Sequence, residues 1–272
     1  MTSVADADAP VAMIDRVALI LEAFNGPAQL TLAQVVTQTG LPRSSAHRIL
    51  EHLVRIRWLC RDEGSYSLGL GVLELGGLAA HQNQLRAVAL PHLHELQAVT
   101  GLVVHLAVLD GPEIVYLEKI GGPFGMRIPS RVGGRQPAHC TAAGKALLAF
   151  AGQEERRGAL ALAPRGRTCR TITTSHQLDA ELLRVLERGV AFDREEAVPG
   201  LGCVASPVGP PHDPCAAISV CGPVGQLPYD RLIGQVRGAA SQAWAAYSGA
   251  GGRRQPGRAL AARLTPVVGP AP

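Results

Sequence analysis

A chain of 272 residues with 47% hydrophobic content is long enough for two modest domains, each with a packed core. Its formal charge of +4 is too small for indiscriminate polyanion binding, so where the cations sit matters more than their sum. No apolar run is long enough to span a bilayer, MTSVADADAP puts no basic segment ahead of an apolar one, and six unevenly spaced cysteines make no disulfide framework, so the chain reads as cytoplasmic.

Residues 1–10 are small, acidic and end on proline, a composition that predicts disorder. Val17, Ile20, Leu21 and Phe24 share one stripe and predict a helix over Val11–Phe24, stopped by Asn25-Gly26-Pro27. Thr31 precedes Leu32 with Gln34 three residues on, a capping box that starts a second helix, and Gly40 ends it. Pro42 opens a third, whose Ala46, Ile49, Leu50, Leu53 and Val54 face inward at three- and four-residue spacing. Arg43, Ser44, Ser45, His47 and Arg48 occupy its first turns, where a helix laid in the major groove meets base edges and phosphates. With Thr31 they are the candidate contacts to double-stranded operator DNA. Between Arg43 and Arg61 five arginines face one acid, Glu51. Trp58-Leu59-Cys60 and Tyr66-Ser67-Leu68 around Asp62-Glu63-Gly64 predict a hairpin, completing a winged helix-turn-helix over residues 11–70. The plainer alternative is an amphipathic helix pair inside another fold.

A helical run over residues 71–84, weakened by Gly71, Gly76 and Gly77, predicts a linker helix. Pro91 precedes the next helix, closed by Gly101; His92 and His94 on it are two apart and point to different faces, unlike metal ligands. From Leu102 to Ile120 the period changes to two around Gly111-Pro112, a β-hairpin. Thr141 caps a helix, Ser175 caps another that ends at Gly189, and Val190–Asp193, Cys203–Val208 and Ala216–Cys221 read as strands before a closing helix over Tyr229–Tyr247. Residues 85–248 thus form an α+β domain whose sheet is covered mainly on one face. Cys203, Cys215 and Cys221 lie in or near apolar stretches and read as reduced, buried thiols. Residues 249–272, rich in Gly, Pro, Ala and Arg, predict a disordered tail.

Catalytic and cofactor motifs are weak. Gly144-Lys145 lacks the glycine and the hydroxyl of a phosphate loop, Glu195 and Glu196 read as solvated, and neighbouring His139 and Cys140 diverge, so no nucleophile has its base in reach. His139, Cys140 and Cys203 lack metal-ligand spacing. The expectation is a protein with no catalytic residues, no cofactor and no metal.

Residues 11–247 resemble the isocitrate-lyase-regulator (IclR) family of bacterial transcription factors. LTLAQVVTQTGLPRSSAHRILEHL is similar to its winged helix-turn-helix; HLAVLDGPEIVYLEKI and RVGGRQPAHCTAAGKALLA resemble the first half of its effector domain; RGVAFDREEAVPGLGCVASPV carries Gly189, Asp193, Glu196 and Cys203 at the intervals of its signature. Val208-Gly209 and the Pro-rich turn at 210–214 depart from the pattern. The resemblance implies a GAF-like α/β domain that binds a small organic effector and sets DNA affinity, in homodimers or homotetramers, most often as a repressor. It places the effector site at Gly125, Ile128, Ala142, Ala143, Asp193, Cys203, Ser219 and Cys221, with Gly125 where a larger apolar residue is usual and Cys221 where a hydroxyl is usual. Independently, Ala142 and Ala143 follow a helix cap, so their free N–H groups suit a carboxylate; ionised Asp193 repels one and suits a ligand hydroxyl. Two classes stay open: a ligand-responsive DNA-binding regulator, or a sensor or enzyme built on the α+β domain with the N-terminal unit serving assembly.

Overall fold

The structure, a computed structural model, describes residues 12–121, 125, 128–161, 166–210 and 213–250. The disorder expected over 1–10 lies outside them, as does the tail from residue 251 on. The chain divides between Gln82 and Asn83 into two compact units.

The first unit holds α1 (Met13–Glu22), β1 (Leu30–Thr31), α2 (Leu32–Thr39), α3 (Arg43–Arg55), β2 (Leu59–Asp62), β3 (Ser65–Leu68) and α4 (Leu70–Gln82). Its capping box is complete: the Gln34 N–H donates to the Thr31 hydroxyl, and the Thr31 N–H donates to Gln34 Oε1 at 2.8 Å. Gly40 takes the left-handed conformation (φ 67°) that ends α2, its N–H donating to Val36. Leu41, behind it, is buried with Ile20, Val35, Ala46, Leu50 and Leu53. Glu63 and Gly64 both have positive φ (44° and 84°), the hairpin geometry that matches strand twist. β1 adds to this hairpin in the order β1-β3-β2. Gly71 has a packing reason, since a Cβ there meets the Arg57 carbonyl at 2.9 Å, whereas Gly76 and Gly77 have open space.

The second unit opens with α5 (Gln84–Thr100), capped by Asn83 Oδ1 accepting from the Arg86 N–H. Pro91 sits inside this helix rather than ahead of it. The lost backbone bond is outweighed by one continuous face, Leu85, Ala89, Leu93 and Leu96, buried against the sheet. Six strands follow, β4 (Val103–Asp110), β5 (Glu113–Ile120), β6 (Arg135–Pro137), β7 (Ala191–Arg194), β8 (Leu201–Val208) and β9 (Ala216–Pro223), antiparallel in the order β6-β5-β4-β9-β8-β7. Between β6 and β7 lie α6 (Ala142–Leu148), α7 (Gln153–Ala161) and α8 (Ser175–Arg188), and α9 (Tyr229–Gly249) closes the chain. The cap of α8 is Thr174, one residue before the expected Ser175.

The sheet is covered on both faces, against the expectation of one. Val104, Leu106, Val204 and Val220 pack on α5 and α9; Ala107, Tyr116, Ala205 and Ala217 pack on α6 and α8. β9 reflects this: AAISVCG is buried at seven consecutive positions, with Ser219 its one polar side chain, because a strand covered on both faces has no solvent side to alternate with.

The largest surprise inside this unit is ionic. Lys145, on α6 and 1% exposed, donates to Glu196 Oε1 at 2.5 Å, so Glu196 is buried rather than solvated. Burial pushes the Glu196 carboxyl up and Lys145 pulls it back, while Glu196 Oε2 has no partner among the described residues. Deleting one member of such a pair strands the other charge. Lys145→Ala is therefore expected to lower unfolding free energy by about 3–5 kcal/mol; urea denaturation checks this, and a loss under about 1 kcal/mol contradicts the buried pairing.

Candidate functional site

In the first unit α3 turns Ala46, Ile49, Leu50 and Leu53 inward, which leaves Arg43, Ser44, His47 and Arg48 exposed and Ser45 half-buried. Glu51, the one acid on this helix, accepts from Arg61 and from the Tyr66 hydroxyl, both at 3.0 Å; His47 lies 3.9 Å away. Arg57 pairs with Glu74. Arg43, Arg48 and Arg55 form no ion pair among the described residues, so their charge is open to an external anion. Thr31 is exposed, with its hydroxyl engaged in the cap of α2.

In the second unit a cavity of about 40 Å³ opens between the sheet and the start of α6. Ile128, Ala142, Ala143, Asp193, Cys203, Ser219 and Cys221 line it together. Gly125 does not; it sits beside Val103, and a Cβ there comes 3.9 Å from a Val103 methyl. The strand period explains the grouping. Asp193 pairs with Cys203, Cys203 with Cys221 and Cys221 with Val103 in one row, and His105 pairs with Ser219 in the next but one. Thr141 caps α6, its hydroxyl accepting from the Gly144 N–H, so the amides of Ala142 and Ala143 precede the first intrahelical donors.

The reduced-thiol expectation fails for two of three cysteines: Cys203 and Cys221 form a disulfide. They are directly opposite on β8 and β9, with Cα atoms 4.3 Å apart. They are 18 positions apart in sequence, and only the strand register brings them face to face. Cys215 stays free, with its thiol pushed up to about 11 by burial.

The polar lining was largely missed by sequence reasoning. His105 Nε2 shares a 2.8 Å hydrogen bond with Ser130 Oγ, and its Nδ1 is buried without a partner among the described residues. Burial, aided by Lys119, lowers its pKa to about 3, so the ring is neutral. Lys119 Nζ donates to the carbonyls of Ile128 and Ser130, fixing that wall. Gln136 Oε1 is also buried and unpartnered among the described residues, and Tyr116 lies 4.8 Å from His105, ring to ring. A histidine and a tyrosine at inward positions of the β4–β5 hairpin were the available signal. Asp193 Oδ1 accepts from the Glu196 N–H at 2.7 Å. Burial raises its pKa to about 7, against the pull of the Glu196 and Ala197 amides and of Lys145, so the fixed negative charge expected there is only partly present at neutral pH.

His139 and Cys140 are both buried, and desolvation lowers the imidazole pKa while pushing the thiol up to about 12, so this pair holds no thiolate at neutral pH. No group of three His, Cys, Asp or Glu among the described residues is placed to hold a metal ion.

A family model for the IclR helix-turn-helix domain matches residues 13–63, and one for the C-terminal domain of the bacterial transcriptional regulator IclR matches residues 77–245. The chain belongs to the IclR family. Among IclR-type relatives, the HTH-type transcriptional regulator XynR of Escherichia coli is 35% identical over 199 residues, 72% of this chain and 79% of that one. The transcriptional repressor IclR of the same organism is 30% identical over 239 residues, 83% of this chain and 85% of that one. The crystal structure of an IclR homologue from Microbacterium hydrocarbonoxydans, complexed with 4-hydroxybenzoate, matches with a TM-score of 0.78 and 28% identity, over 88% of this chain and all of that one.

Because the pKa of Asp193 is higher folded than unfolded, its stability contribution is fully present below about pH 4, its unfolded range, and is lost as pH rises through about 7. The stability of the parent chain minus that of Asp193→Asn is expected to fall between pH 4 and 7 and level off above 8. Paired denaturation curves check this; a difference that grows with pH contradicts the assignment.

Proposed function

We propose that this IclR-family regulator is a cytoplasmic, sequence-specific repressor that acts by binding alone, with no catalytic step and no cofactor. Thr31, Arg43, Ser44, Ser45, His47 and Arg48 form its DNA face. Ile128, Ala142, Ala143, Asp193, Cys203, Ser219 and Cys221 hold a small, carboxylate-bearing organic effector. Residues 11–70 serve as the DNA-binding domain, 71–84 as the linker and 85–248 as the effector domain. No described helix is long and apolar enough to cross a membrane.

One observation carries the effector reading: a buried cavity whose His105 Nδ1 and Gln136 Oε1 lack partners among the described residues. Unpaired buried polar atoms are costly, and a polar ligand relieves them. A carboxylate suits the amides at the start of α6, and a protonated Asp193 donates to it instead of repelling it. The 4-hydroxybenzoate bound by the Microbacterium homologue has such a group. The pairing of chains is supported by α4, which exposes Leu70 (62%), Leu73 (70%) and Leu78 (51%), apolar surface that a second copy covers. Sedimentation as a monomer at working concentration removes that part of the reading.

The DNA face is tested on a duplex selected from a random pool. Arg48→Ala is expected to weaken binding by roughly 5–150-fold, the equivalent of about 1–3 kcal/mol, and to reduce the salt slope by about one if it holds a phosphate. Unchanged affinity and unchanged sequence preference remove Arg48 from the interface.

A further inference from the structure

The Cys203–Cys221 disulfide is not needed to hold β8 to β9, because the two strands already pair over eight positions, from Leu201 with Pro223 to Val208 with Ala216. What the disulfide does have is a place in the effector cavity, where both cysteines form part of the wall. Cys221 is buried and Cys203 is half-buried, so the cavity side of Cys203 offers a route to one sulfur. A protein that works on DNA also works in a reducing compartment, where lasting structural disulfides are rare and those that form are exchanged.

We propose that Cys203 and Cys221 are a reversible thiol–disulfide couple inside the effector cavity, through which low-molecular-weight thiols and disulfides regulate the same site as the organic effector. The DNA consequence rests on the cavity being the effector site; the couple itself does not. In the reducing direction a small thiolate attacks the Cys203 sulfur, the S–S bond breaks, and Cys221 leaves as a thiolate that takes up a proton. A second small thiolate then attacks the outer sulfur of the mixed disulfide, releasing a small disulfide and the Cys203 thiolate, which is protonated in turn. The balance is one protein disulfide and two small thiols giving one protein dithiol and one small disulfide.

The direction of the effect follows from space. Unbonded sulfurs need van der Waals separation, about 3.5–4 Å, in place of a covalent bond. The ladder holds the two Cα atoms 4.3 Å apart, so the sulfurs part by side-chain rotation, and the cavity is the open side. In a space of about 40 Å³ that movement takes room from a ligand. The oxidised form therefore binds effector more tightly, and effector in turn protects the disulfide by the same factor.

The test uses the full chain in glutathione buffers from fully reduced to fully oxidised, with alkylation and peptide mass spectrometry at both cysteines. Cys203 and Cys221 are expected to gain and lose protection together, in one two-electron transition. Two free thiols in the most oxidising buffer, or a disulfide that excess glutathione leaves intact in the folded chain, overturns the couple. Cys221→Ser, which restores a hydroxyl at the cavity wall, is expected to leave Cys203 with a single glutathione adduct at most. Duplex DNA selected separately by the oxidised and reduced chain then reads the consequence. Measured across a panel of small carboxylic acids, a ligand-induced shift in Kd at least fivefold larger in the oxidised form than in the reduced form, with that difference below twofold in Cys221→Ser, is expected; equal shifts in the two forms overturn the regulatory role. If neither form selects any duplex, the DNA-binding reading fails, and the glutathione titration alone still decides the couple.

Discussion

The effector unit is organised by a charge taken out of water. Lys145 is one of two lysines in the chain, and it is spent inside the protein on Glu196. The pair joins α6 to the turn between β7 and β8. One partner's helix begins with Ala142 and Ala143; the other's turn follows Asp193 and leads into Ala197 and Val198. This one contact therefore ties the start of α6 to the 193–198 turn, two parts of the cavity wall, while Lys119 holds the Ile128–Ser130 part. Burying an ion pair gains little net stability, because the desolvation cost is close to the Coulombic gain; its value lies in admitting only one arrangement of the groups around it. Here that arrangement keeps Asp193 away from bulk water, and this burial is why its proton is held more tightly than in an exposed carboxylate, even though the Glu196 amide donates to Oδ1 and pulls the other way.

The N-terminal unit was readable from sequence because its signals are local. A capping box, a Gly in the left-handed region, a proline ahead of a helix and a Glu-Gly turn each act within four residues, and the structure has each of them. Five strands of the second unit were readable for the same reason; the short edge strand β6, Arg135–Pro137, was not, because three residues carry no alternation to read. What escaped was decided by residues far apart in sequence. Glu196 looked solvated beside Glu195 until Lys145, 51 positions earlier, was placed against it. Cys203 and Cys221 looked like separate buried thiols until the β8–β9 register made them neighbours. Pro91 looked like a helix start because its local cost is real; only the buried face of α5 shows why the helix runs through it.

The same division explains the candidate sites. Positions on α3 follow from helical periodicity alone, which separates Arg43, Ser44, His47 and Arg48 from the buried stripe. The cavity gathers six strands, a helix start and two loops, and no periodicity links them. Its most consequential polar atoms, His105 Nδ1 and Gln136 Oε1, are defined by what they fail to touch. Family membership supplies the frame of a DNA-binding regulator, and the chain's own chemistry gives this cavity a neutral histidine, a titrating aspartate and a cystine in the wall.

The account depends on a small molecule in the second unit changing how the first grips DNA. The direct measurement is the Kd for a selected duplex across a panel of small carboxylic acids, for the parent chain and for Ala143→Leu, which fills the cavity and leaves α3 untouched. The account predicts a parent chain whose Kd shifts severalfold with one member of the panel, and a variant that binds the duplex equally well and ignores that compound. A variant that responds as fully as the parent contradicts it.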